Sequence, residues 1–297
     1  MKAKVIVICG PTASGKTALS IELAKKINGE IVSADSMQIY QDMNIGSAKP
    51  TKEEMQGIKH YMMDFVLPSK RYSVAEYKKG ALQAIEDIIQ KGKIPIIVGG
   101  TGLYIDALIY HIDYPEIKID ENYRKHLTNR VKTEGLETLY KEAKKIDPKA
   151  MEHISLKDQK RILRVLEVYH QTGKTKTEQE IESRKQEIPY DYHVFCLNMD
   201  RQKLYHRIEE RVDIMIKQGL IEEVQEILQK YKKYPTAMQA LGYKEIKQFL
   251  DGIVTKEEAI QKIKQETRRY AKRQLTWFRK NKQTIWLEAR RRNEKKY

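Results

Sequence analysis

Cysteine is scarce in this chain of 297 residues, with only Cys9 and Cys196. Far apart in sequence, they offer neither a disulfide framework nor a metal-ligand spacing, and Cys9, inside an apolar run, is expected to be a buried, inert thiol. The seven histidines are scattered without a close pair, so they do not mark a metal centre. No apolar run approaches the roughly 20 residues that cross a bilayer. The opening MKAKVIVICG breaks at Gly-Pro too early for a secretory leader. Internal repeats are also missing. A disulfide-stapled secreted module, a zinc domain and a membrane-embedded chain are thereby excluded, and the expected compartment is the cytoplasm.

Apolar residues make up 40% of the chain, enough for a packed core. KVIVIC (4–9), GEIVSADS (29–36) and IPIIVGG (94–100) are short, β-branched runs that end in glycine or polar residues and read as buried strands. Between them lie helical periods from Thr17 and over SVAEYKKGALQAIEDIIQKGK. Strands alternating with helices predict a parallel sheet covered on both faces. From about Ile117 the texture changes to charged helices, ENYRKHLTNRVKTEG, LETLYKEAKKID and LKDQKRILRVLEVYHQTG, with no strand between them. Strand character returns at YHVFCLNM (192–199). Helices follow to Trp277, then TIWLEA as an edge strand and a frayed ARRRNEKKY. The fold class is therefore α/β, a P-loop NTPase-like parallel sheet flanked by helices. Residues 1–117 and 192–297 are expected to form the core, and 118–191 a mostly helical insertion.

The net charge of +15 is concentrated: residues 258–297 hold 14 basic residues against 4 acidic ones. Such a patch attracts a polyanion, most commonly nucleic acid, although a merely solvated basic tail also fits.

Gly10-Pro11-Thr12-Ala13-Ser14-Gly15-Lys16-Thr17 matches G-x-x-x-x-G-K-[ST] at every fixed position, between a strand and a helix. Its backbone amides and the helix N-terminus cradle phosphate, Lys16 reaches the phosphate oxygens, and the Thr17 hydroxyl suits Mg2+. The motif alone does not specify ATP. A nucleotide hydrolase carries an apolar strand ending in Asp, whereas IPIIVGG runs into Gly99-Gly100-Thr101 without a carboxylate. The nearest acid is Asp35, past the second strand, where metal ligand, general base and helix cap are all open roles.

With these residues assembled, the chain resembles the tRNA dimethylallyltransferase (tRNA isopentenyltransferase) family over nearly its whole length. The resemblance is carried by GPTASGKT (10–17), SADSMQIYQDMNIGSAKP (33–50), VGGTGLY (98–104), DQKRILRVLEVYHQTGKT (158–175), LYHRIEERVDIMIKQGLIEEV (204–224), ALGYKEI (240–246) and TRRYAKRQLTWFRK (267–280). It implies that the loop holds the diphosphate of dimethylallyl diphosphate with Mg2+, and that the prenyl group passes to N6 of adenosine-37 in the tRNA anticodon stem-loop. Asp35 matches the family's general base, and Arg211 a diphosphate contact, one helical turn from Arg207. Thr101 matches a contact to the target nucleotide. Asp35, Ser36, Met37 and Gln38, with Gln159, Lys160, Arg161, Ile162 and Leu163, match the tRNA-lining segments. Where the family shows Gln-Arg, this chain reads Lys160-Arg161 with Gln159 one position earlier. Lysine reaches phosphate but cannot make glutamine's bidentate contact to adenine. Arg124, Arg164 and the basic positions Arg269, Lys272 and Arg273 are expected contacts to the RNA backbone. The family also implies a monomer.

Two further readings share the phosphate loop. An adenylate isopentenyltransferase would prenylate a free mononucleotide, which needs neither the insertion nor the basic C-terminal segment. A small-molecule kinase would need an arginine lid and an acceptor site, which the positions around Asp35 and Gly99-Gly100-Thr101 fit poorly. A pure RNA-binding module leaves the intact phosphate loop unexplained.

Overall fold

The computed structural model describes residues 2–114 and 120–288; the expected boundary at 117/118 and the ARRRNEKKY end lie outside the described residues. Two compact units divide the chain, one of Met1–Ile109 with Pro189–Tyr297, the other of Tyr110–Ile188.

In the first unit β1 (Lys4–Cys9), α1 (Lys16–Ile27), β2 (Gly29–Ser33), α2 (Lys52–Met55), β3 (His60–Tyr61), α3 (Val74–Gln90), β4 (Ile94–Gly99) and α4 (Gly102–Ile109) follow in order. Its sheet has six described strands in the order β3-β2-β4-β1-β5-β6, all pairs parallel, where β5 is Asp191–Asn198 and β6 is Ile285–Glu288. The α/β class and the covered parallel sheet are thus as the strand–helix alternation predicts. Val5, Val7, Ile31, Val32, Ile96 and Ile97 are at most 2% exposed, which explains why these strands read as unbroken apolar runs. Cys9 and Cys196 are both buried and free, and they are register partners on β1 and β5 despite their separation in sequence.

The sheet order decides where chemistry can sit. The phosphate loop leaves β1, Asp35 lies just beyond β2 and Gly100-Thr101 just beyond β4. Because β2, β4, β1 and β5 are parallel neighbours, these segments emerge side by side at the carboxyl ends of the strands.

Second-unit helices α5 (Glu121–Glu134), α6 (Leu136–Ile146), α7 (Pro148–Met151) and α8 (Gln159–Thr172) pack around Leu127, Leu139, Ala143, Met151, Ile162 and Leu166, and α9 (Lys176–Ser183) lies against α7 and α8. Buried Asp147 ties two of them: Oδ1 accepts from the Ala150 N–H at 3.1 Å and the Thr177 hydroxyl at 2.6 Å, and Oδ2 accepts from the Thr177 N–H at 3.0 Å.

The first unit resumes after β5 with α10 (Arg201–Lys217), α11 (Leu220–Lys230), α12 (Tyr243–Leu250) and α13 (Lys256–Phe278). Val212, Leu220, Val224, Tyr243, Ile246 and Ile263 from these helices enclose Ile39, Tyr40 and Met43 of the segment after β2. That segment has little regular structure, and one carboxylate gathers its backbone. Glu223 accepts from the N–H groups of Asn44 (2.8 Å), Ile45 (2.8 Å) and Gly46 (3.1 Å) and from the Tyr243 hydroxyl (2.5 Å). No helix among the described residues is long and apolar enough to cross a membrane.

Candidate functional site

Residues 10–17 form a tight loop whose backbone explains its glycines. Gly10 has φ 140°, and a Cβ there would stand 2.9 Å from the Leu197 carbonyl oxygen of β5; Gly15, at φ 94°, precedes the first residue of α1. Ala13 is also left-handed, at φ 63°, an unusual conformation for a residue with a side chain. Successive turns of this kind make a concave nest of amides. α1 has no side-chain cap and no acid in its first turn, so its N-terminal amides remain available to an anion. The Ser14 hydroxyl is buried without a hydrogen-bond partner, and the Lys16 ammonium donates to the Pro11 carbonyl at 2.7 Å.

Three cations converge on this loop. Lys16, Arg207 and Arg211 line one cleft of about 630 Å³ together with Thr12–Thr17, Asp35, Gln38, Tyr270 and Gln274. An Arg207 nitrogen would lie 3.8 Å from a Cβ built on Gly15. Burial, reinforced by the Arg211 charge and opposed by Asp35, lowers the Lys16 pKa to about 8. Burial lowers Arg211 as well, against the pull of Asp35. Holding three like charges together with Asp35 near them costs free energy that a polyanionic ligand relieves.

Asp35 does cap, but not a helix: residues 36–39 form a turn, and Asp35 Oδ1 accepts from the N–H groups of Met37 (2.9 Å) and Gln38 (3.4 Å). This fixes the carboxylate at the cleft wall, with Oδ2 free of those two bonds. Thr101 stands beside it, its Oγ1 accepting from the Ser36 N–H at 3.0 Å and donating to Ser36 Oγ at 3.3 Å. Gln38 lines the cleft, yet its amide donates to the Ser47 and Ala48 carbonyls at 3.3 and 3.1 Å and so braces its own loop. Met37 packs against the helical core.

The C-terminal helix α13 has two faces. Arg269, Lys272 and Arg273 are exposed on one, with Arg269 paired to Glu266 at 2.6 Å. Tyr270 and Gln274 on the other line the cleft. Both inward residues escape sequence reasoning, because a tyrosine and a glutamine within an amphipathic basic helix carry no motif. Trp277 also turns inward, its indole N–H donating to Asp106 at 2.8 Å, and Phe278 is buried.

The remaining expected contacts belong to the helical unit. Gln159 is half-buried, and Lys160 and Arg161 are exposed, at the start of α8. Ile162 and Leu163 require a correction: they are 0% and 7% exposed and belong to that unit's core, because α8 is amphipathic and buries these positions. Arg124 is also not a free surface cation. Its guanidinium forks onto Glu167 at 2.6 and 2.7 Å, and Arg164 approaches the same carboxylate at 3.4 Å.

The described residues contain no cluster of three His, Cys, Asp or Glu side chains able to hold a metal. The cleft does offer the Thr17 hydroxyl and the Asp35 carboxylate. That sparse oxygen set fits Mg2+, which keeps waters and takes its other ligands from substrate phosphates.

The family model described as IPP transferase matches residues 38–281. A tRNA dimethylallyltransferase of Acetivibrio thermocellus is 50% identical over 284 residues, covering 95% of this chain and 91% of that one. A second, from Thermoanaerobacter sp., is 50% identical over 94% of this chain and 90% of its own length. Among solved structures, the tRNA isopentenylpyrophosphate transferase of Bacillus halodurans superposes with a TM-score of 0.72 at 42% identity, covering 97% of this chain and 90% of that one. A eukaryotic dimethylallyltransferase captured acting on tRNA gives 0.77 at 32% identity, over 97% and 74% of the two chains.

Proposed function

Since the chain belongs to the IPP transferase family, we propose that it transfers the dimethylallyl group of dimethylallyl diphosphate to N6 of adenosine-37 in tRNA. The carrying observation is the single cleft in which Lys16, Arg207 and Arg211 surround a nest of amides beside Asp35. An allylic C–O bond ionises readily once the departing diphosphate is stabilised, so cations and amides aimed at the leaving group are what this reaction needs.

In this mechanism the loop amides, Lys16 and Arg211 hold the diphosphate, joined by Arg207. When bound through Thr17, Mg2+ adds further neutralisation of the leaving-group charge. The adenine leaves its stack to enter the cleft, at a cost of about a few kcal/mol. Its N6 forms a bond to C1 of the dimethylallyl group as the C1–O bond breaks and its electron pair departs with the diphosphate. The N6 proton passes to Asp35, which is held in place by the Met37 and Gln38 amides. Thr101, with Ser36 and the cleft-lining Gln38, faces the target nucleotide, while Met37 anchors this segment on the helical core. Gln159, Lys160 and Arg161 and the outer face of α13 grip the RNA backbone. The enzyme acts in the cytoplasm as a monomer.

The test is to incubate the protein with labelled dimethylallyl diphosphate, Mg2+ and either unmodified tRNA or AMP. Label on tRNA is expected. Label on AMP alone would establish an adenylate isopentenyltransferase, and ATP-dependent phosphorylation without prenyl transfer a kinase.

A further inference from the structure

Gln274 is 5% exposed, and both ends of its carboxamide are used on two loops of the cleft. Its Oε1 accepts from the Thr12 N–H of the phosphate loop at 2.9 Å, and its Nε2 donates to the Gly100 carbonyl, just past β4, at 2.9 Å. The turn at Gly100 is shaped around this group: a Cβ there would meet Nε2 at 2.1 Å. One helical turn earlier Tyr270 lines the same cleft, in contact with Thr101 and Gln274, and its phenol is pushed above the ordinary tyrosine range by burial. The carboxamide accepts from one backbone group and donates to another at this spot. A carboxylate would set an oxygen against the Gly100 oxygen, and an apolar side chain would leave a buried N–H and C=O unpaired.

We propose that Gln274 is a positioning residue for the reaction. It fixes the phosphate loop at Thr12 in the shape that receives the leaving group, and links that loop to the Gly100-Thr101 turn beside the nucleotide position. This rests on the reading of the loop as a diphosphate site. It differs from a packing role because Gln274 bonds the loop's own backbone, so the effect is expected in anion binding.

Gln274→Met keeps the shape and removes both bonds; Gln274→Glu keeps an acceptor for Thr12 and loses the donor to Gly100. With Mg2+ present, Gln274→Met is expected to weaken inorganic pyrophosphate binding by about tenfold, and Gln274→Glu at least as much, because its carboxylate also places a negative charge beside the anion site. The KM for dimethylallyl diphosphate should rise by a similar factor, while Kd for an anticodon stem-loop stays within about twofold. Folded variants with wild-type pyrophosphate affinity would overturn the proposal, as would equal weakening of both ligands. A wild-type measurement covers the case in which neither variant folds. In protein labelled with 15N-glutamine, the Gln274 side-chain amide signal should shift when pyrophosphate binds, and a stationary signal would overturn the proposal. Wild-type protein that binds no pyrophosphate and transfers no prenyl group would remove the functional reading itself, a result distinct from wild-type activity with indifferent variants.

Discussion

Asp35 illustrates how one side chain serves two ends through its two oxygens. Oδ1 holds the turn at Met37 and Gln38, so deleting the side chain would disturb both chemistry and loop. Asp35→Asn separates them, since the amide oxygen can keep the turn while the base is lost. The expected result is a fall in kcat of roughly 10²–10⁴, with stem-loop affinity retained; binding assays and single-turnover rates on the same variant check it. Lys16 supplies a pH signature. Its pKa lies at about 8 because burial and Arg211 disfavour the charge. A bound anion favours the protonated form, so binding takes up a proton when the pH exceeds that value. Affinity for a non-reacting prenyl diphosphate analogue should be flat below pH 8 and fall by up to about tenfold per unit above it. Calorimetry across that range, with Lys16→Arg as the variant that flattens the profile, is the measurement.

Among the elements, the segment between β2 and α2 depends most on distant support. Glu223 collects three backbone amides and a tyrosine hydroxyl, and it is 8% exposed. Glu223→Ala leaves those donors without a partner and is expected to cost on the order of 3 kcal/mol, read by denaturant unfolding. The strands β1, β2 and β4 were legible because both their faces are buried, which writes an apolar run into the sequence. β3 was not legible, being a two-residue edge strand, His60–Tyr61. α4 was obscured for a different reason: GLYIDALI is mostly buried and shows no polar stripe. The phosphate loop, Asp35, Thr101 and Arg211 could be picked out by motif and resemblance. Tyr270 and Gln274 could not, because their partners Thr101 and Thr12 lie far away along the chain. Ile162 and Leu163 show the reverse error: a segment recognised as a unit contains buried positions that its neighbours' charge conceals.

For the molecule as a whole, charge placement separates the two ligands. The exposed basic side of α13 faces solvent, while the cations around the phosphate loop are enclosed in the cleft. Raising salt should therefore weaken stem-loop binding steeply and pyrophosphate binding far less. Replacing Lys272 and Arg273 by alanine should reduce the RNA salt slope by about one for each phosphate that is no longer neutralised, and equal slopes for the double variant and wild type would count against the basic grip. The sheet order also bears on how the chain is made. β1 is synthesised long before β5, yet Lys4 pairs in register with Asp191, and the Thr12 amide waits for Gln274. A nascent chain halted after Ile188 carries the whole phosphate-loop sequence on a strand with one open edge, the condition in which strands attract chaperones or one another. Completion of the anion site is thus expected only once α13 has been made, and a chain ended at residue 255 should bind no pyrophosphate.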